Sequence, residues 1–69
     1  MNVKYFISKN LKEKNITLIF SSGTELTFVK ENIDSDFKYD DTFIELIEKD
    51  TNHNHLINLD SVIAVRVID

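Results

Sequence analysis

The chain has 69 residues and a formal net charge of −4, with 42% hydrophobic residues, one glycine and no proline, cysteine or tryptophan. A chain of this length buries only about 60% of its unfolded surface and has little room for a deep pocket, so we expect a single non-enzymatic domain over 1–69. The lack of cysteine excludes disulfides, thiolate metal sites and thiol nucleophiles, and no apolar run approaches the roughly 20 residues of a membrane span.

Residues 3–11 form the first predicted element, and they fit two kinds of secondary structure. Val3, Tyr5 and Ile7 alternate as in a strand, whereas a helix would place five residues on one face, namely Val3, Phe6, Ile7, Asn10 and Leu11. Both interpretations stay open, so the chain is expected to be all-β, with or without one short N-terminal helix. The apolar core of a secretory signal is not found here, and we therefore expect a cytoplasmic protein.

The clearest predicted element is a β-hairpin around the only glycine, Gly23. Two alternating apolar runs, 16–20 and 24–29, flank the residues Ser21-Ser22-Gly23. A two-residue loop would pair polar with apolar side chains on one face, whereas a three-residue loop pairs like with like. We therefore predict a three-residue loop with Gly23 in the left-handed region and three cross-strand pairs: Leu18 with Leu26, Ile16 with Phe28, and Thr17 with Thr27.

A second pair of runs, 42–48 and 55–59, is joined by the turn-forming residues 49–54. This arrangement favours a second hairpin, because a lone short helix fits poorly between the turn formers and the strand that follows. The alternative for residues 42–48 is a helix that begins with a capping box formed by Thr42 and Glu45.

The last predicted element is the β-branched run 62–68, which follows a tight corner at residues 59–61. Its apolar residues are almost continuous, and Arg66 is its one charged residue. Such a run is typical of a strand in the centre of a sheet or covered on both faces.

The order and spacing of these elements resemble those of the SH3-like and Sm-like small barrels. The resemblance rests on five segments that cover about 55 residues with their connections: 16–20, 24–30, 42–48, 55–59 and 62–68. It implies an antiparallel barrel of five or six strands. In the Sm family an Arg-Gly pair in the corner before the last strand helps to hold RNA, whereas this chain has Leu59-Asp60-Ser61 there. RNA binding in the Sm manner is therefore not expected.

Charge is divided unevenly between the two halves of the chain. Residues 1–30 carry five lysines against two glutamates, a net +3, whereas residues 31–69 carry ten acids against three basic residues, a net −7. The acidic segment, residues 31–50, alone has a net charge of −6. Such a segment repels nucleic acid and attracts basic surfaces, although acids also serve solubility alone. The residues predicted to bind a basic partner are six carboxylates: Asp34, Asp36, Asp40, Asp41, Glu45 and Glu48.

Two groups of residues invite comparison with metal sites, and both fall short. Residues 34–45 space their acids as in a calcium-binding loop, but a lysine and a tyrosine occupy positions that need an oxygen ligand and a glycine. His53 and His55 on a strand would share a metal with Asp50, but two histidines alone make a weak site, and we interpret them as polar turn residues. The chain also lacks the Gly-x-Ser-x-Gly motif that would place a nucleophilic serine near a histidine base. We therefore assign no metal, no other cofactor and no catalytic residue.

The alternative function is that of an Sm-like oligomer that binds RNA or single-stranded DNA. Nucleic-acid binding needs clustered cations interleaved with aromatic residues, and the N-terminal segment has the one such cluster: Lys4, Tyr5, Lys9, Lys12 and Lys14. The net charge of −4 argues against strong electrostatic binding, so nucleic acid is not the preferred partner.

The preferred prediction is a non-enzymatic module that binds a protein with a basic surface. Ile, Asn and Lys make up 23 of the 69 residues, a bias common in AT-rich genomes such as those of low-GC bacteria and their phages. This leads to the hypothesis of a stoichiometric inhibitor that occupies the nucleic-acid-binding surface of a host or defence protein. Strand edges predict a second kind of partner, another copy of the chain in a homodimer or a ring. No membrane partner is expected.

Overall fold

A computed structural model describes residues 2–69. It contains one helix and five strands: α1 (Val3–Asn10), β1 (Asn15–Phe20), β2 (Glu25–Glu31), β3 (Phe43–Glu48), β4 (Asn54–Asn58) and β5 (Val62–Ile68). A short 3-10 turn, Leu59–Ser61, lies at the corner before β5. All strand pairs are antiparallel and form one sheet in the order β4-β3-β2-β1-β5.

The fold class predicted from the sequence is confirmed, because the protein is mostly β with one short N-terminal helix. The five strands bend around a common core, and the molecule measures 26 × 23 × 22 Å. Within residues 2–69 the outer strands β4 and β5 do not pair with each other, so the sheet is not closed as a barrel.

Residues 3–10 form helix α1 and Leu11 is its C-terminal cap, so the helical alternative for residues 3–11 is confirmed. Asn2 caps the helix, since its Oδ1 accepts two backbone N–H groups of the first turn at 2.7 and 3.3 Å. The side chains that α1 buries are those of Lys4 and Ile7, followed by Leu11 at the C-terminal cap. Helix α1 is too short to cross a membrane, and the rest of the described chain has no membrane-spanning helix either.

The β1–β2 hairpin has the predicted register. Leu18 lies opposite Leu26, Ile16 opposite Phe28, and Thr17 opposite Thr27, and the two threonine hydroxyls are 2.7 Å apart. Gly23 has a φ of 90°, a left-handed value that favours glycine. The three-residue loop is therefore confirmed.

The hydrophobic core lies between α1 and the inner face of strands β1 to β4. It contains eight buried apolar residues: Ile7, Leu11, Ile16, Leu18, Phe28, Ile44, Leu46 and Ile57. Register shifts after Ile19 on β1 and after Phe28 on β2 are irregularities of the kind that bend a sheet. This curvature lets a single sheet enclose most of the core.

The predicted β3–β4 hairpin is confirmed, whereas the predicted position of the last strand, β5, is wrong. Residues 43–48 form a strand that pairs with β4 from Phe43–Asn58 to Ile47–Asn54, so the helical alternative is wrong. The run 62–68 was expected to be central or doubly covered, but β5 is an edge strand paired only with β1. Its valines pack on the core, whereas Ile63 is exposed, because β-branched residues suit an edge strand as well as a central one.

Candidate functional site

The acidic loop, defined as residues 32–42, connects β2 to β3 and is anchored by a lysine from the N-terminal helix. Lys4 lies on the first turn of α1 and is only 7% exposed. Its Nζ donates to the backbone oxygens of Phe37 and Asp40, both at 2.5 Å, and of Phe43 at 2.8 Å. An ammonium has three donors, and all three are used here. Lys4 therefore ties α1 to the loop and to the start of β3.

Short-range bonds within the loop fix its turns. The Asn32 Oδ1 accepts the Asp34 N–H at 3.0 Å, and the Ser35 Oγ accepts the Phe37 N–H at 2.9 Å. Asp40 accepts two backbone N–H groups, those of residues 42 and 43, at 2.7 and 3.0 Å. These bonds are the Asx and Ser/Thr turns that short polar side chains form with the following backbone. Because the two N–H groups stabilise its charged form, the pKa of Asp40 lies below its ordinary value.

Glu45 on β3 joins the acidic loop to the neighbouring strand. Its carboxylate accepts the Ser35 hydroxyl at 2.6 Å and the side-chain amides of Asn54 at 2.7 Å and Asn32 at 3.5 Å. The bonds from Ser35 and Asn54 lower the pKa of Glu45. Glu45 therefore holds the loop against β3 and β4.

The loop surface combines carboxylates with two exposed apolar side chains. Asp34, Asp36 and Asp41 are exposed, and Asp41 accepts one long bond, 3.3 Å, from the side chain of Asn2. Tyr39 is 92% exposed and Ile33 is 77% exposed. Lys38 lies 5.9 Å from the centre of the Tyr39 ring and offsets part of the negative charge. The loop therefore exposes carboxylates together with a large aromatic residue.

The six predicted acidic residues thus fall into three groups. Asp34 and Asp36 are exposed, Asp41 is exposed and bonded only to Asn2, and Asp40 and Glu45 are bonded within the loop and its support. Glu48 lies at the opposite end of β3 from the acidic loop, where its Oε1 is 2.7 Å from the Nε2 of His55. The structure therefore does not bring Glu48 to the surface formed by the others.

The predicted basic cluster is also divided. Lys4 is buried and occupied by carbonyl groups, so it is not available to bind nucleic acid. Lys14 pairs with Asp69 at 2.9 Å, and this hydrogen bond and the adjacent negative charge raise the pKa of Lys14. Lys14 is exposed despite this pair, and the other exposed members are Tyr5 and Lys9, one helical turn apart, and Lys12 in the turn after α1.

Sequence reasoning missed the residues that shape the acidic loop. Lys4 was assigned to the basic cluster, and the polar partners Asn32, Ser35 and Asn54 were not singled out. A signal exists for Asn32, Ser35 and Asp40, since each is a residue type that forms side-chain turns. The sequence contains no comparable signal for Lys4, because its acceptors are backbone groups 33 to 39 positions away.

Comparisons with known proteins add no family to this description. No protein-family model matches the chain, and neither the search of curated proteins nor the search of solved structures found a match.

Proposed function

We propose that this protein is a non-enzymatic binding module whose acidic loop docks onto a basic surface of another protein. The observation that carries the proposal is a loop that Lys4 bonds to α1 and Glu45 bonds to β3, and that nevertheless exposes Tyr39 almost completely. A loop that only serves solubility needs neither a fixed backbone nor an exposed aromatic residue.

Physical reasons favour protein binding by such a loop. A preorganised loop loses little conformational entropy when it binds, so more of the contact energy appears as affinity. Tyrosine is enriched among the residues that contribute most to protein interfaces, because it buries a large area at a low entropic cost. The carboxylates around it would raise the association rate and select against acidic partners.

The proposed partner is a protein whose basic surface otherwise holds nucleic acid. The loop contains four aspartates and one lysine. Its carboxylates give it a negative charge, as phosphates do for nucleic acid, so both can bind the same basic surface. By occupying that surface in equal proportion, the protein would act as an inhibitor of a host or defence factor in the cytoplasm of a bacterium. The negative charge of the loop and the high content of Ile, Asn and Lys, which is common in proteins from AT-rich genomes, support this role.

The first test compares two triple variants with the same change in charge. The variant Asp34→Asn/Asp36→Asn/Asp41→Asn neutralises three exposed carboxylates of the loop and leaves Asp40 and Glu45 in place. The control Glu13→Gln/Asp50→Asn/Asp60→Asn removes three exposed acids outside the loop. A nuclease-treated bacterial lysate is passed over each protein, and captured proteins are identified by mass spectrometry and titrated at low and high salt.

The expected result is one partner that binds the wild type and the control but not the loop variant. Binding should weaken steeply with salt, and Tyr39→Ala should reduce affinity by about tenfold or more, as expected when a large aromatic side chain contributes to an interface. The partner should also lose a bound oligonucleotide when the wild-type protein is added. Equal affinity of wild type and loop variant, with Tyr39→Ala unchanged, contradicts the proposal.

Nucleic-acid binding through α1 is the alternative, supported by the exposed pair Tyr5 and Lys9. Fluorescence anisotropy with single-stranded RNA and DNA tests it directly. Salt-sensitive binding that is lost in Lys9→Gln/Lys12→Gln would favour this alternative over the acidic loop.

Self-association through the sheet edges is a proposal compatible with either function. Strands β4 and β5 each pair on one side only within residues 2–69, and each exposes an apolar side chain, Leu56 and Ile63 respectively. Unpaired strand edges can add a strand from another copy. Light scattering should then report a homodimer or ring that survives high salt and dissociates in Ile63→Lys.

A further inference from the structure

Three side chains with metal-binding atoms meet at the end of the β3–β4 hairpin. Glu48 is the last residue of β3, and its backbone N–H donates to the His53 oxygen at 2.8 Å, which places these residues opposite each other. His55 follows two positions later and therefore points to the same side of the strand as His53. One ligand atom from each of Glu48, His53 and His55 lies within 4.8 Å of the others.

The backbone that carries these side chains is already fixed. The Asn52 N–H donates to the Glu48 oxygen at 3.0 Å, and the His53 N–H donates to the Thr51 Oγ1 at 3.2 Å. Asp50 and Asn52 have left-handed φ values of 72° and 60°, which aspartate and asparagine tolerate better than most residues. A metal ion would thus require side-chain adjustment only.

The chemistry of this set selects a particular class of ion. Two imidazole nitrogens and one carboxylate oxygen suit Zn²⁺ and related transition metals, whereas Ca²⁺ and Mg²⁺ prefer oxygen ligands alone. The Glu48 Oε1 and the His55 Nε2 are 2.7 Å apart. Ligand atoms of a tetrahedral zinc site are about 3.3 Å apart. Binding an ion would therefore separate this pair by roughly half an ångström and bring the His53 nitrogen, within 4.8 Å of the other two atoms, into the same range.

The surroundings also suit a metal site. The rings of Phe28 and His55 pack in a T-shaped arrangement, with their centroids 5.6 Å apart. Phe28 belongs to the core, so this contact limits the movement of the His55 ring. Glu48 and His55 are half-buried, whereas His53 is exposed. His55 is therefore held by packing and Glu48 by its hydrogen bond to His55, whereas the exposed His53 leaves a route from solvent.

We propose that Glu48, His53 and His55 form a binding site for a divalent transition metal ion, with Zn²⁺ as the preferred ion and water as the fourth ligand. Sequence reasoning assigned no metal and weighed the histidines with Asp50. In the structure the third ligand is Glu48, contributed by the neighbouring strand. This site lies apart from the acidic loop and does not depend on the proposed protein partner.

The test uses the tag-free protein and Zn²⁺ in the presence of excess Mg²⁺, which suppresses weak binding to exposed carboxylates. Calorimetry measures affinity, and the visible spectrum of Co²⁺ reports a tetrahedral nitrogen and oxygen site. We expect a single ion to bind each chain and to raise the melting temperature. His53→Ala and Glu48→Gln should weaken binding by about tenfold or more.

Asp50→Asn is the matched control, because it removes a neighbouring acid that lies outside the cluster. It should bind Zn²⁺ as the wild type does, and circular dichroism of the metal-free variants confirms that each is folded. The proposal is overturned if the wild type shows no saturable binding, if His53→Ala and Glu48→Gln both bind normally, or if Asp50→Asn loses binding as they do.

Discussion

Two connections of the same sheet are held in shape by different means. The β1–β2 loop is short and is fixed by its backbone, with Gly23 at a φ of 90° and its N–H bonded to the Phe20 oxygen at 2.8 Å. The acidic loop has no glycine and is fixed by side chains, above all by Lys4 from α1 and Glu45 from β3. The β1–β2 loop depends on a backbone conformation that glycine adopts easily. The acidic loop depends on hydrogen bonds from side chains that lie outside it.

The two loops differ in how much of their structure can be predicted from the sequence. The conformation of a tight turn follows from rules that act within a few residues, so alternation and one glycine were enough to predict the β1–β2 register. The acidic loop depends on contacts between residues 33 to 39 positions apart, for which the sequence has no local pattern. A single change in each loop should therefore have different consequences.

The largest effect is expected from Lys4→Met, which keeps an unbranched side chain and removes the ammonium. Three backbone oxygens lose a charged donor, and the free energy of unfolding should fall by about 2 to 3 kcal/mol in urea titrations. Hydrogen exchange should accelerate in residues 32–42 and α1 while the β1–β2 hairpin remains protected.

Lys9→Met is the matched control on the exposed side of the same helix. It should change stability by less than about 0.5 kcal/mol. If Lys4→Met were as stable as Lys9→Met, the acidic loop would not depend on its anchor, and the contrast between the two loops would not hold.

A smaller effect is expected from Gly23→Ala. An added Cβ would meet no atom within 4 Å, so the cost comes only from the left-handed backbone. This conformation costs a residue with a side chain about 1 to 2 kcal/mol. Thermal or urea unfolding measures the loss, and Ser21→Ala, which changes an exposed side chain of the same loop, provides the control. Exchange in the acidic loop should stay unchanged, and a faster rate there would show that the two loops are coupled.

The smallest effect is expected from acid. The pKa values of Asp40 and Glu45 are lowered in the folded state by hydrogen bonds to their charged forms. Their stabilisation is therefore complete above their ordinary pKa values, 3.8 and 4.5, and is lost as pH falls through the lowered folded values. Unfolding measured between pH 6 and 3 should show a steeper decline in the wild type than in Glu45→Gln. The control Glu13→Gln should decline as the wild type does, and equal slopes in all three proteins would contradict a role for Glu45 in the loop.

The fold was more accessible from the sequence than the candidate site. Alternation predicted the strands, but it could not show that β5 lies at an edge, because Val and Ile suit both positions. It also could not separate free carboxylates such as Asp34 and Asp36 from Glu45, whose oxygens are bonded to three polar side chains. The sequence shows where the charged residues lie along the chain, whereas the hydrogen-bond partners of each charged group depend on tertiary structure.

The contact between Lys4 and residues 37–43 can form only after a long stretch of chain has been synthesised. Lys4 leaves the ribosome well before its acceptors, which lie 33 to 39 residues later. At about 5 to 20 residues per second, this separation amounts to roughly 2 to 8 s. Helix α1 has eight residues, fewer than the about 12 to 15 needed for a stable isolated helix. Helix α1 is therefore synthesised seconds before the backbone groups that accept the Lys4 hydrogen bonds.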